Sequence, residues 1–439
     1  MSYTHDINFC LEEFLGEGGL KRQIFEEQLA SCTQSLVRLK EDKESGRLPF
    51  LSIPEEREDL AACQSLVSSY RDNCSDVIVL GTGGSSLGGR TLYGLANSPF
   101  GPVNGGPRLH FVDNIDPYSF AVLLKRLDIS TTGLITLSKS GSTAETVAQF
   151  MALLPAFQKA YGPDKLAERV TIITEPRPNP LRKLARELGL ECLDQNPLIG
   201  GRFCLLTIVG LLPAMIAGLD VNALREAAAK VVHQALNTKD MEEIAPVVGA
   251  SVATGLLRQR NISQTVIMPY EDRLADLGLW YNQLWAESLG KEGKGTTPIR
   301  ALGTVDQHSQ LQLYLDGPQD KMFTMIYHDA RGEGLPVDSA LPDGEDTLSY
   351  LRGRTLGDLL TVSAEATAQT LAKNGRPVRK ITLQQIDEQA LGALTMHYML
   401  ETVIAADLLG VNPYDQPAVE QGKVLARRFL RDLNTENAT

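Results

Sequence analysis

The chain has 439 residues, 43% hydrophobic and 22% charged, an ordinary globular mix that allows two or three domains with sizeable cores. A net charge of −12 excludes a general nucleic-acid surface, so any anion site must be local. The longest apolar run, Phe203 to Leu219, is short of a bilayer span and contains Gly210 and Pro213, which excludes a membrane partner of that kind.

The opening MSYTHDINFCLEEFLGEGG carries acids where a secretory signal needs a basic end and an apolar centre. Six cysteines (Cys10, Cys32, Cys63, Cys74, Cys192, Cys204) are scattered without a C-x-x-C pair and read as reduced, packed thiols. A cytoplasmic protein is expected. Residues 1–70 mix acids, bases and apolar positions at helical spacing and predict a helical N-terminal segment.

From Asp76 the texture changes. VIVL (77–80) predicts a strand ending in the loop Gly81-Thr82-Gly83-Gly84-Ser85-Ser86-Leu87-Gly88. LHFVD (109–113), LITL (134–137) and VTIIT (170–174) predict further strands, with helices near 117–127 and from Ala144 to about Phe157. Strand, loop and helix in alternation imply a parallel sheet covered by helices, a first αβα domain over 71–225.

After Leu219 the chain reads as helical to about Gln259. TVIM (265–268), KMFTMIY (321–327) and VRKITL (378–383) then predict a second set of strands, with long helices at 355–373 and 387–409. Asn374-Gly375 and Gly410 are helix terminators. This is a second αβα domain over 226–400, followed by a C-terminal helical segment, 401–439, that carries Lys423. The fold class is α/β: two parallel-sheet sandwiches of unequal size between helical end segments.

Ser138-Lys139-Ser140-Gly141-Ser142-Thr143-Ala144-Glu145-Thr146 lies where the third strand meets its helix, and Ser142 with Glu145 fits a capping box. Hydroxyls and free N–H groups at the positive end of a helix suit a phosphate monoester. The same residues would also make an ordinary capped turn. The loop at 81–88 favours the phosphate, because ligands of open α/β sheets bind outside the carboxyl ends of neighbouring strands. That loop is not a dinucleotide fingerprint, since Ser86 stands where the third glycine belongs, and no G-x-x-x-x-G-K-[ST] occurs. Its glycines, Gly84 among them, are expected to let the backbone approach a small substrate, with Ser85 as a further donor. At these two loops the chain resembles the sugar isomerase (SIS) family of sugar-phosphate-binding domains.

Four more stretches narrow the resemblance: GGRF (200–203), QLWAESLGK (283–291), DQHS (306–309) and DQPAVEQGK (415–423). In that order, across roughly residues 75–425, they resemble phosphoglucose isomerase. The residues have physical reasons of their own. Aldose–ketose isomerisation moves a proton between C2 and C1 through a cis-enediol and needs one carboxylate base. Glu287 follows the apolar stripe Leu277, Tyr281, Leu284 and Trp285, just before Gly290 ends the helix. That stripe predicts an apolar surround, in which a carboxylate holds its proton more tightly. A solvated acid at a helix end is the plainer alternative. Arg202 precedes the apolar run and is expected at a helix N-terminus, where a cation opposes the dipole unless an anion is to be stabilised.

The resemblance implies that Arg202 supports charge on the enediol oxygens. It implies that His308 opens the sugar ring from the partner subunit of a homodimer and that Lys423 assists. Gln283 and Gln416 match positions that bond sugar hydroxyls or phosphate. Cys204 stands where serine is common after GGRF and is expected to be a packing change. No H-x-H or H-E-x-x-H occurs, which weighs against metal-dependent aldose isomerases, and no cofactor is expected. Two other functions suit the same loops: a non-catalytic sugar-phosphate sensor, which would not need Glu287, His308 or Lys423, and an isomerase that also takes mannose 6-phosphate.

Overall fold

The computed structural model describes residues 2–337 and 347–436. After strand β1 (Tyr3–Asp6), the first seventy-odd residues are helical: α1 (Glu12–Leu15), α2 (Arg22–Glu44), α3 (Glu58–Ala62) and α4 (Gln64–Asn73). β1 departs from the helical segment predicted for 1–70, because it pairs antiparallel with a strand at Val378–Leu383, far along the chain. Its four residues, YTHD, are too few to betray a strand by alternation.

The first sheet unit runs β2 (Asp76–Leu80), α5 (Gly84–Tyr93), the small hairpin β3 (Asn97–Ser98) and β4 (Gly101–Pro102), then β5 (Arg108–Val112). It continues with α6 (Pro117–Arg126), β6 (Thr132–Leu137), α7 (Ala144–Leu166), β7 (Val170–Thr174), α8 (Pro180–Leu188) and β8 (Glu191–Asp194). The strand order is β5-β2-β6-β7-β8, with every pair parallel. From β2 the chain crosses to β5 on one side and returns to β6 on the other. The loops after β2 and β6 therefore part at a crevice beyond the strand ends.

The second unit holds α9 (Ile208–Ile216), α10 (Val221–Asn237), α11 (Ala245–Arg260), β9 (Gln264–Pro269), α12 (Leu277–Leu289) and β10 (Thr297–Arg300). Then come α13 (Leu311–Asp316), β11 (Lys321–His328), α14 (Leu356–Lys373), β12 (Val378–Leu383), α15 (Glu388–Leu409) and α16 (Glu420–Glu436). The order is β1-β12-β11-β9-β10, parallel except for β1. Both sheets have five strands where the sequence predicts unequal halves. Within these two sheets the strands not predicted, β1, β8 and β10, are short and lie at the edges, where polar residues and Pro298 blunt the pattern.

Successive side chains of each strand divide between two cores. Val77, Val79, Ile135, Ile267, Ile326 and Ile381 face one large core that also takes in α9 to α12 and α15. Ile78, Leu80 and Leu134 face α7 and α8 on the outer side, and Val266, Phe323 and Met325 face α14. α15 is buried nearly all round, as a helix packed on every side must be, and it crosses the predicted boundary at 400/401. No helix among the described residues is long and apolar enough to cross a membrane.

Candidate active site

The loop after β6 closes on itself. The Gly141 N–H donates to the Ser138 carbonyl at 3.0 Å, and Gly141 takes a left-handed φ of 61°. A Cβ there would lie 1.9 Å from Asn179 Oδ1, so only glycine lets the loop dock on the segment after β7. This turn delays the helix. Thr143 is the N-cap of α7, without a side-chain cap bond, and Ser142 bonds Ser140 instead, so the predicted Ser142–Glu145 capping box is absent. Ser138 is buried behind the loop and donates to Thr143 Oγ1 at 3.1 Å. The Thr143 hydroxyl proton and the first N–H groups of α7 are left for a ligand.

The glycine loop after β2 meets the turn at Gly201–Phe203. A Cβ on Gly84 would stand 2.1 Å from the Gly201 carbonyl oxygen, so this glycine serves the contact of two protein loops as well as the cavity. Cys204 joins them: its thiol lies 3.3 Å from the Gly84 carbonyl and 3.0 Å from that of Gly201.

Arg202 is not at a helix N-terminus, as its place before the apolar run predicts. It sits in a 3-10 turn ahead of α9, with its side chain buried. All five of its N–H groups find acceptors. Nε donates to Ser288 Oγ (3.1 Å), Nη1 to Glu287 Oε2 and Gln416 Oε1 (both 2.8 Å). Nη2 donates to the carbonyls of Pro413 (2.7 Å) and Asp415 (3.1 Å). Burial lowers the Arg202 pKa, and Glu287 works against that.

α12 buries Leu277, Trp280, Tyr281, Leu284 and Trp285 at helical spacing, each large side chain worth roughly 1.5–3 kcal/mol. Gln283 and Glu287 flank that stripe, and their side chains meet at 3.2 Å. Gln283 Oε1 is buried without a protein partner. The carboxylate of Glu287, at the edge of that stripe, thus faces a guanidinium and an amide rather than the apolar surround the stripe predicts. Lys291, one turn on, donates to the Glu287 and Ser288 carbonyls at 2.7 and 2.8 Å and closes the helix end.

These parts enclose one cavity of about 530 Å³, with Gly84, Ser85, Lys139, Ser140 and Thr143 toward one end. Arg202, Gln283, Glu287, Gln416 and Lys423 also line it. A helix start rich in hydroxyls and a hydrogen-bonded carboxylate share a space that suits a small phosphorylated molecule.

The phosphoglucose isomerase family model matches residues 64–315 and 352–439. The chain belongs to the phosphoglucose isomerase family. It is 40% identical over 423 residues to the glucose-6-phosphate isomerase of Rubrobacter xylanophilus, covering 95% of this chain and 96% of that one. The glucose-6-phosphate isomerase of Thermus thermophilus is 36% identical over 399 residues, 89% of this chain and 92% of the relative. Among solved structures, a hypothetical protein of Thermus thermophilus superposes with a TM-score of 0.85 at 34% identity, covering 98% and 99% of the two chains. A glucose-6-phosphate isomerase from Chlamydia trachomatis shares the fold, with a TM-score of 0.77 at 20% identity over 98% and 93% of the chains.

Two residues singled out from the family motifs do not line the cavity. Ser138 stands behind it, and His308 is exposed on the turn after Val305–Gln307. Lys423 lies at the start of α16, where Nζ pairs with Glu420 at 2.7 Å. The sequence reading missed Glu175 and Glu420 on the cavity wall. Glu420 had a signal, its spacing from Lys423; Glu175, at the end of an apolar strand, had only its place beyond a strand end.

Proposed function

We propose that this cavity is where the chain, as a member of the phosphoglucose isomerase family, interconverts glucose 6-phosphate and fructose 6-phosphate. One observation carries the reading: a carboxylate with unfilled acceptor capacity and a hydroxyl-lined helix start open on the same small space.

In this reading the phosphate rests on Ser140, Thr143 and the first N–H groups of α7, which puts the sugar carbons toward α12. Glu287 takes the proton from C2 of the aldose or C1 of the ketose and returns it to the other carbon. Arg202 orients Glu287 and Gln416, and the charge on its Nη1 supports the enediol oxygens. The buried Gln283 Oε1 accepts from a sugar hydroxyl. Lys423 and His308 act in ring opening, and His308 reaches the cavity of a second copy in a C2 homodimer. Its exposed position away from its own cavity supports that assignment.

Two measurements test this. Incubated with fructose 6-phosphate in deuterated water, the Glu287→Gln variant should lose exchange at C1 along with turnover; exchange at the normal rate would remove Glu287 as base. Co-expressed Glu287→Gln and His308→Ala chains should give heterodimers with one intact site and up to about half of wild-type activity. No recovery in purified heterodimers would place His308 in its own chain's chemistry or outside it.

A further inference from the structure

Glu175 is 2% exposed and its carboxylate lines the cavity beside Lys139, Ser140 and Thr143. A buried carboxylate beside a phosphate site works against the ligand, since like charges repel strongly where water is scarce. Its backbone is held on both sides. The Glu175 N–H donates to the Lys139 carbonyl at 3.1 Å, and its own carbonyl accepts from Arg182 Nε at 2.9 Å. Its Oε1 lies 3.8 Å from Lys139 Nζ, and its Oε2 pairs with Nε of the largely exposed Arg177. The cavity as a whole is not cationic. Four carboxylates (Glu145, Glu175, Glu287, Glu420) stand against three cations (Lys139, Arg202, Lys423) on its wall.

We propose that Glu175 is a specificity-determining residue: its buried carboxylate takes up the charge of Lys139 and holds down the site's affinity for small free anions. Binding then depends on hydroxyls, backbone N–H groups and the sugar together, and inorganic phosphate by itself competes poorly. This rests on the reading that the loop 138–143 takes the substrate phosphate.

The test compares inhibition by inorganic phosphate with KM for fructose 6-phosphate. Glu175→Gln should lower the phosphate inhibition constant by at least about fivefold and lower KM by a smaller factor. Glu175→Asp should restore wild-type discrimination. A purely structural role would raise both constants, so an unchanged or raised phosphate constant in folded Glu175→Gln protein overturns the proposal. Arg177→Ala, at an exposed position, gives a second arm: stripped of this partner, Glu175 should repel phosphate more, raising its constant at least about twofold. A lowered or unchanged constant there also overturns it. Ser140→Ala with Thr143→Ala separates the two readings. If that pair leaves phosphate inhibition untouched, the loop is not the phosphate site and this proposal falls with it. If it weakens inhibition while Glu175→Gln fails to strengthen it, only the role of Glu175 falls.

Discussion

The Arg202–Glu287 pair at the cavity and the Arg379–Glu401 pair in the core behind α12 bring the same two groups to 2.8 Å, yet their carboxylates can reach very different things. Glu287 is 32% exposed, and each of its oxygens has one protein donor. Glu401 has no exposure, and its Oε2 accepts from Arg379 and meets His397 Nε2 at 2.8 Å. The Tyr3 hydroxyl lies 2.8 Å from His397 Nδ1, so a neutral ring with its proton on Nε2 satisfies both neighbours. Burial opposes the charge on Glu401, but Arg379 and His397 overcome it and hold the carboxyl at about 2. The core pair ties β12 to α15, with both side chains fully buried. Pairing with arginine therefore does not by itself single out a carboxylate for chemistry; of these two, only Glu287 can reach a ligand.

Breaking the core pair should have the largest effect. Glu401→Ala leaves the Arg379 guanidinium buried and unpaired, and should cost about 3–5 kcal/mol of stability in a urea titration. A loss near zero would mean that water enters the cluster. Glu287→Gln should do the reverse, lowering kcat at least about 10²-fold, equivalent to about 2.7 kcal/mol in the barrier, while the unfolding midpoint barely moves. A comparable fall in stability would make the two pairs alike.

A more gradual effect is on pH. Burial lowers the pKa of His5 and His397 below the ordinary 6.5, so both stay neutral in the folded chain while the unfolded chain takes up protons. Folding stability should fall as pH drops below about 6.5, by up to roughly 1.4 kcal/mol per pH unit for each histidine. Glu401 acts in the same direction further down: its contribution is full above its ordinary 4.5 and is lost as pH falls toward 2. Unfolding midpoints measured from pH 7 to 5 check the histidine part, and a flat profile would show that both take up protons as readily in the fold as in the unfolded chain.

The strands on which the cavity is built were legible, because VIVL, LITL and VTIIT are apolar runs that end in glycine or hydroxyl loops. The face of α12 that holds Glu287 was legible from its apolar stripe. What Glu287 touches was not, since Arg202 comes from a turn far away in the chain and spacing says nothing of such meetings. The start of α7 was misread because a capping-box pattern was present while Gly141 turned the backbone first. Arg379 and Glu401 gave no warning either: both sit within apolar-rich stretches, and only the fold brings them together.

The five bonds of Arg202 also have a consequence in time. They join a turn near the middle of the chain to Glu287 and Ser288, and then to a segment 214 residues further on at Gln416. A ribosome making this chain has finished β12 and α15 before that segment emerges. Until then Arg202 stands half-bonded and the cavity lacks the wall formed by Gln416 and Lys423. Released chains truncated near residue 410 should already resist proteolysis across both sheets, yet lack the activity of the full chain.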